Sequence, residues 1–309
     1  MLRRSANQAE VGTAVVGLAS AAVGFIEKSF SATQVCINYA EGPPNGPPLL
    51  LLHGLSRDWR SFSVLLPELS HHFHVFALDL RGHGRTDRVA DSYRIAEFAQ
   101  DVTEFVRARF PLGTAIFGHS LGAMVAMNVA ASGNCPVKAI ILGDTMITPE
   151  NFRRSLYAPL FRQLYELLRH TQSHAVLAAG MGKILIPVPG LNEPVRIEEL
   201  PGNTSEALAE WARCALQTDP DAIAMTVDGR AFEDWAPHKT LPRISCPTLL
   251  LQGNPELDAM LSDDDVKLAL RLLPNARRIQ FPLLGHALFM QQPKPVLDTV
   301  IKFLSSVAN

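Results

Sequence analysis

The chain has 309 residues, 47% hydrophobic and 19% charged, which is a globular composition with ample material for a core. Its 28 Lys+Arg against 30 Asp+Glu leave a net charge of −2, so no basic field exists to hold nucleic acid. The four cysteines, Cys36, Cys135, Cys214 and Cys246, are far apart and form no CxxC or Cys/His cluster, which excludes a recognisable metal centre and argues against a disulfide framework.

At the N-terminus, Arg3 and Arg4 precede an apolar run from Val11 to Phe25 that contains Ala19-Ser20-Ala21. The run is too short to span a bilayer comfortably, and no stable membrane insertion is expected. It has the length of a signal-peptide core with an A-x-A-like site. Glu10 abuts it, however, and a short helix packed on the domain accounts for it equally well. Residues 1–28 are therefore set apart as an N-terminal extension. A cytoplasmic location is expected, or a secreted or periplasmic one if the extension is a signal.

Next, Gln34–Tyr39 alternates and reads as an outer strand, ended by the turn from Gly42 to Pro48. Leu49–Leu52 is a short, wholly apolar run, the mark of a strand buried on both faces. Phe62–Leu69 has helical spacing, and His74–Leu78 is a second buried strand. Ile95–Phe110 reads as an amphipathic helix with Phe98, Val102, Phe105 and Val106 on one face, stopped by Pro111. A strand at Thr114–Phe117, a helix from Leu121 to Ala131 and a strand at Val137–Leu142 follow.

This alternation predicts a doubly wound α/β sheet with mostly parallel strands. From Met146 to Leu241 the rhythm breaks: no buried strand is expected, and Asn151–His170 and Ser205–Gln217 read as helices, with Pro187-Val188-Pro189-Gly190 interrupting. It resumes with a strand at Pro247–Gln252, a helix at Asp263–Leu273, a strand at Arg277–Phe281 and a closing helix at Pro295–Val307. The expected organisation is a core of residues 29–145 and 242–309, with residues 146–241 inserted as a helical cap.

The chemistry centres on Gly118-His119-Ser120-Leu121-Gly122, a G-x-S-x-G pattern between a strand and a helix. A serine at such a turn sits in sparsely populated backbone space and projects its hydroxyl from the sheet edge. The hydroxyl is a poor nucleophile alone, so a base, an orienter and oxyanion donors are required. His286, in the Gly285-His286 that follows the last strand, is the candidate base. The loop after strand Thr248–Gln252 offers Glu256 and Asp258 as the orienting acid, and Asp144 after the preceding strand is a third candidate. The backbone N–H groups of Leu121 and of Leu55, in His53-Gly54-Leu55, are the candidate oxyanion donors. His53 then reads as a structural residue of that loop. Ser262 and Asp263–Asp265 read as the cap and charged first turn of a helix.

Together, His53-Gly54-Leu55, Asp79-Leu80-Arg81-Gly82-His83-Gly84, Gly118–Gly122 and Gly285-His286 make the chain resemble the α/β-hydrolase fold family, over nearly all of its length after Phe25. The resemblance implies an eight-stranded sheet, a Ser/His/acid triad, a two-N–H oxyanion hole, a cap over the pocket and no cofactor. It implies that Asp79–Gly84 is a structural loop. Relatives usually carry the acid in a Gly-x-x-Asp register after the penultimate strand. Here that position is Glu256, which is the acid expected, with Asp258 and Asp144 as alternates.

Serine at the elbow points to acyl transfer to water rather than to epoxide opening or halide displacement through an alkyl-enzyme ester. The expected substrate is a small ester or lactone with an apolar part, since the inserted segment carries Phe152, Leu156, Tyr157, Leu160, Phe161 and Leu164. Alternatives are hydrolysis of carbon–carbon bonds in ring-fission products, perhydrolysis, and a hydrolase-like receptor for a small ligand. The oligomeric state is not legible in the sequence.

Overall fold

The computed structural model describes residues 24–187, 193–200 and 202–307. The signal-or-helix expectation for the N-terminus and most of the Pro187–Gly190 interruption lie outside these residues. Among the described residues there are ten strands: β1 (Ile26–Ser31), β2 (Cys36–Glu41), β3 (Pro48–Leu52), β4 (His74–Leu78), β5 (Thr114–His119), β6 (Val137–Gly143), β7 (Leu185–Ile186), β8 (Val195–Arg196), β9 (Thr248–Gln252) and β10 (Ala276–Gln280). Eight form one sheet in the order β1-β2-β4-β3-β5-β6-β9-β10. The β1–β2 and β2–β4 pairs are antiparallel, and every other pair in this sheet is parallel.

The inner strands are apolar throughout because both faces are covered. Leu50, Leu52, Phe76, Leu78, Ile116, Ile140, Leu142 and Leu250 enter one core. Their neighbours one residue along, including Leu49, Leu51, Val75, Ala77, Phe117, Ile141, Leu249 and Leu251, enter the other. Period two thus divides each strand between two layers. The helices Ile95–Arg109 and Leu121–Ser132 cover the first face. Leu66–His72 and Pro293–Val307 cover the second.

Four expectations need correction. β1 is a strand that hydrophobic patterning misses, because its residues are exposed or half-buried and it is held by pairing with β2 at the sheet edge. The single helix read over Phe62–Leu69 is a 3-10 turn, Trp59–Phe62, followed by a helix that begins at Leu66. Pro67 sits in the first turn of that helix, where its missing N–H costs nothing. Between β6 and β9 run the helices Pro149–Arg154, Tyr157–His170, His174–Gly182, Ser205–Leu216, Pro220–Asp228 and Pro237–Thr240. The β7–β8 ladder also lies in this insertion, where only helices are expected. Asn151–His170 is two helices, not one, parted where the Ser155 hydroxyl turns back to the Phe152 carbonyl.

Candidate active site

Ser120 stands between β5 and the helix Leu121–Ser132 with φ 54° and ψ −117°. A non-glycine residue there is strained by about 1–3 kcal/mol and persists only where its surroundings over-determine it. They do: the Ser120 N–H donates to the Gly143 carbonyl at 2.9 Å and the Gly122 N–H to the His53 carbonyl at 3.0 Å. A Cβ on Gly122 would collide with the Leu52 carbonyl, and one on Gly118 with the Gly122 carbonyl. Both flanking glycines are therefore required by close backbone approach.

Helix geometry leaves the first N–H groups without intrahelical acceptors. Here Gly122 donates to His53, while Ala123 and Met124 donate back to the Ser120 carbonyl. The Leu121 N–H is the one left over. The Leu55 N–H likewise has no protein acceptor among the described residues. Leu55, Ser120 and Leu121 line one small cavity of about 30 Å³, walled by Met124, Thr145, Met146, Phe152, Phe161, Thr226, Phe232 and Met260. The Thr145 hydroxyl is buried there without a partner among the described residues.

The loop that carries Leu55 is held at both ends. The His53 Nδ1–H donates to the Gly54 carbonyl at 2.7 Å, and Nε2 accepts the Leu80 N–H at 3.0 Å. Burial lowers the His53 pKa, so the ring stays neutral in this bridge. Further along, Ser56 accepts from the Trp211 indole N–H at 2.8 Å, which ties the insertion to the loop. Beside it, Asp79 takes the N–H groups of Trp59 (2.9 Å) and Arg85 (3.0 Å) and the Asn38 amide (2.8 Å). Arg81 makes a bidentate pair with Asp101 at 2.6 and 2.7 Å. The Asp79–Gly84 segment is scaffold.

His286 follows β10. Its Nδ1 lies 2.7 Å from Asp144 Oδ2. The Asp144 carboxylate is fully buried and also accepts the N–H groups of Met260 (2.6 Å), Gly253 (3.2 Å) and Leu261 (3.4 Å). An acceptor so placed fixes the proton on Nδ1 and leaves Nε2 as the free lone pair. Glu256, the acid expected, is not at the site: its side chain is exposed and takes no hydrogen bond among the described residues, and only its backbone N–H is engaged, by Asn254. The reason is local. Pro255–Leu257 forms a 3-10 turn that faces solvent, whereas β6 ends beside β9 and aims Asp144 at the His286 ring.

Asp258, the other alternate, is present but in a different relation. Its Oδ1 accepts the backbone N–H of His286 at 2.7 Å, and its Oδ2 accepts from the Tyr157 hydroxyl at 3.3 Å. Burial pushes the Asp258 carboxyl up, opposed by the His286 N–H. Tyr157, at the start of an inserted helix, also packs its ring on His286 at 4.7 Å. On the other side His119 lies 4.7 Å from the same ring and donates its Nε2–H to the His286 carbonyl at 2.9 Å. Burial takes the His119 pKa down to about 3, so it holds that bond as a neutral ring. Sequence reasoning gave neither Tyr157 nor His119 a place at the site. Among the described residues no cluster of His, Cys, Asp or Glu has metal-holding geometry, and no helix is long and apolar enough to cross a membrane.

A strained serine between strand and helix on a mostly parallel sheet, sharing one cavity with Leu55 and Leu121, is the arrangement of the α/β-hydrolase fold. Residues 49–299 match the model of the alpha/beta hydrolase family, and the chain belongs to that family. It is 26% identical to the bifunctional esterase/perhydrolase DCH of Acinetobacter calcoaceticus, over 86% of this chain and 94% of that one. It is 30% identical to epoxide hydrolase 2 of Caenorhabditis elegans, over 84% and 74%. Among solved structures, a membrane phospholipase A superposes with a TM-score of 0.69 at 25% identity, covering 94% of this chain and 89% of that one.

Proposed function

We propose that this chain is a serine hydrolase of carboxylic esters or lactones, with Ser120 as nucleophile, His286 as base, Asp144 as its orienting acid and the N–H groups of Leu55 and Leu121 as the oxyanion hole. The observation that carries the reading is the 2.7 Å contact between Asp144 and His286 Nδ1, made on the same sheet edge as the strained serine. Ser120 Oγ adds to the substrate carbonyl carbon while His286 Nε2 takes its proton. The carbonyl oxygen, now an oxyanion, meets the two N–H groups, each worth about 2.7–4 kcal/mol of transition-state stabilisation. Collapse expels the alcohol, which receives the proton from His286. Water then adds to the acyl-enzyme as His286 takes its proton, and collapse breaks the bond to Ser120 Oγ, which receives that proton as the carboxylic acid product leaves.

The esterase relative supports acyl transfer, and its second activity supports a second reading in which hydrogen peroxide replaces water in the last step. The apolar wall of Phe152, Phe161, Phe232 and Met260 supports an apolar substituent next to the scissile bond. The epoxide-hydrolase relative does not carry over, because attack of a serine hydroxyl on an epoxide would form an ether, which water does not cleave. The test is labelling by a fluorophosphonate probe together with turnover of a p-nitrophenyl ester series. Wild type should label and turn over, and Ser120→Ala should do neither. Equal rates in the two proteins would overturn the reading.

A further inference from the structure

The loop that supplies Leu55 continues into Ser56-Arg57-Asp58, and the Arg57 side chain has no role in the chemistry above. Among the described residues its guanidinium pairs with no carboxylate and donates to no acceptor. The carboxylates nearest in charge, Asp58 and Glu210, are taken by a different arginine. Arg213 Nη2 lies 2.7 Å from Asp58 Oδ2 and 2.6 Å from Glu210 Oε1. Arg57 instead lies over the Trp211 ring at 4.9 Å, and the Trp211 indole is pinned by Ser56. The guanidinium lies over that ring, and its five N–H donors take no acceptor among the described residues.

The position is an interior one. Burial pushes the Arg57 pKa down. Its charge is felt at His119, beside Ser120, and at Tyr157, whose ring packs on His286. It is enclosed by protein, yet part of its surface stays accessible. A desolvated cation without a partner costs several kcal/mol, and other arginines in this chain avoid that cost: Arg81 and Arg213 are both paired. Such an exception beside a nucleophile marks a site that a ligand completes.

We infer that Arg57 binds a carboxylate of the substrate, so that the ester attacked by Ser120 is a half-ester, one carboxyl esterified and a second one free. This rests on the esterase reading and narrows it. The guanidinium fork matches a carboxylate with two parallel N–H···O bonds. Arg57 stands two residues beyond Leu55 in the loop that carries the candidate oxyanion amide. The cation–π contact with Trp211 fixes the plane of the fork before substrate arrives.

The experiment pairs monomethyl succinate, glutarate and adipate with their dimethyl esters, in wild type, Arg57→Met and Arg57→Lys. Wild type should favour at least one half-ester over its neutral diester by tenfold or more in kcat/KM. Arg57→Met should lower that ratio by about 10- to 100-fold, the range of a charge-assisted hydrogen bond. Arg57→Lys, a point charge without the fork, should recover part of it. A second measurement needs no turnover. The same half-esters should raise the Tm of Ser120→Ala but not of Ser120→Ala/Arg57→Met. Absence of a charge preference in wild type overturns the inference while leaving the esterase reading intact. So does an equal loss on both ester types in Arg57→Met, which would make Arg57 a packing residue, or a Tm shift with inorganic phosphate and none with half-esters. A Tm shift that depends on Arg57 in a protein that hydrolyses no ester would sustain the inference and overturn the esterase reading.

Discussion

Asp144→Asn separates the acid that the structure places at His286 from the one its loop register suggests. The carboxylate meets four donors: the His286 Nδ1–H and the N–H groups of Met260, Gly253 and Leu261. A carboxamide has one acceptor oxygen and one NH2, so it satisfies only one side. With oxygen toward Gly253 and Leu261, the NH2 faces Met260 and His286. The imidazole must then move its proton to Nε2, where it can no longer accept from Ser120, and the Met260 N–H is orphaned. With oxygen toward Met260 and His286, both N–H groups of Gly253 and Leu261 are orphaned. Each buried orphan costs about 1–3 kcal/mol, so the first orientation, with one, is favoured over the second, with two. The outcome is the wrong tautomer. In a serine triad that change lowers kcat about 10⁴-fold with the geometry intact, roughly 5.5 kcal/mol on the barrier. Stability should fall by about 1–3 kcal/mol from the Met260 amide. Steady-state turnover of a p-nitrophenyl ester gives kcat, and urea unfolding gives the stability. Glu256→Gln, run alongside, should stay within twofold of wild type. An Asp144→Asn variant within tenfold of wild type, or a deeper loss in Glu256→Gln, would refute this account.

Other outcomes follow from the same geometry. Asp258→Ala removes the acceptor for the His286 N–H and for Tyr157. It should lower kcat by about 10²-fold, the cost of a small misplacement of a catalytic group, with KM little changed; an unchanged kcat would mean that His286 needs no such support. The cavity at Ser120 holds about 30 Å³, an order below the ~300–1,000 Å³ of ligand pockets. A neighbouring cleft of about 470 Å³, lined by Thr148, Arg153, Trp235 and His238, is separated from it at Phe232, which lines both. Phe232→Ala should therefore shift p-nitrophenyl ester preference to longer acyl chains, and an unaltered chain-length profile would show that the two spaces do not join through this ring. Burial holds the pKa of both His83 and His119 at about 3, against about 6.5 unfolded. Between those values the unfolded chain carries up to two more protons, so stability is lost as pH falls below 6.5, with a slope from this pair approaching ~2.7 kcal/mol per pH unit. Urea unfolding at pH 7, 6 and 5 measures it, and His83→Gln should reduce the slope by about half; an equal slope in both proteins would count against the buried neutral ring.

The inner sheet was legible because burial on both faces leaves wholly apolar runs, so β3, β4, β5, β6 and β9 are visible in the residues themselves. β1 was not, since an edge strand with exposed side chains is held by backbone pairing that no side-chain pattern records. The serine elbow was legible from the glycines that backbone approach demands. The acid was the hard part. Asp144, Glu256 and Asp258 all follow strands at one edge of the sheet, and local sequence does not report which way a loop turns. A 3-10 turn sends Glu256 to solvent, while Asp258 is held at φ 116° and Asp144 at φ 35°. Three of the residues around the base, Ser120, Asp144 and Asp258, have left-handed backbones without being glycine. Local propensity disfavours such conformations, so reading by propensity misses them. His119 and Tyr157 escaped for a related reason: an imidazole after a strand and a tyrosine in an apolar helix look like core.

The order of the parts along the chain has a consequence for biosynthesis. Both candidate oxyanion amides, the serine and Asp144 are translated before the insertion begins. The amides that cradle the Asp144 carboxylate, from Gly253, Met260 and Leu261, and the imidazole it orients, are translated after the insertion ends. A nascent or truncated chain therefore holds its serine without a base and its acid without a cradle. With the roles proposed for these residues, hydrolytic competence would arrive only when β9 and β10 dock on β6, and until then the ribosome would carry an inert precursor.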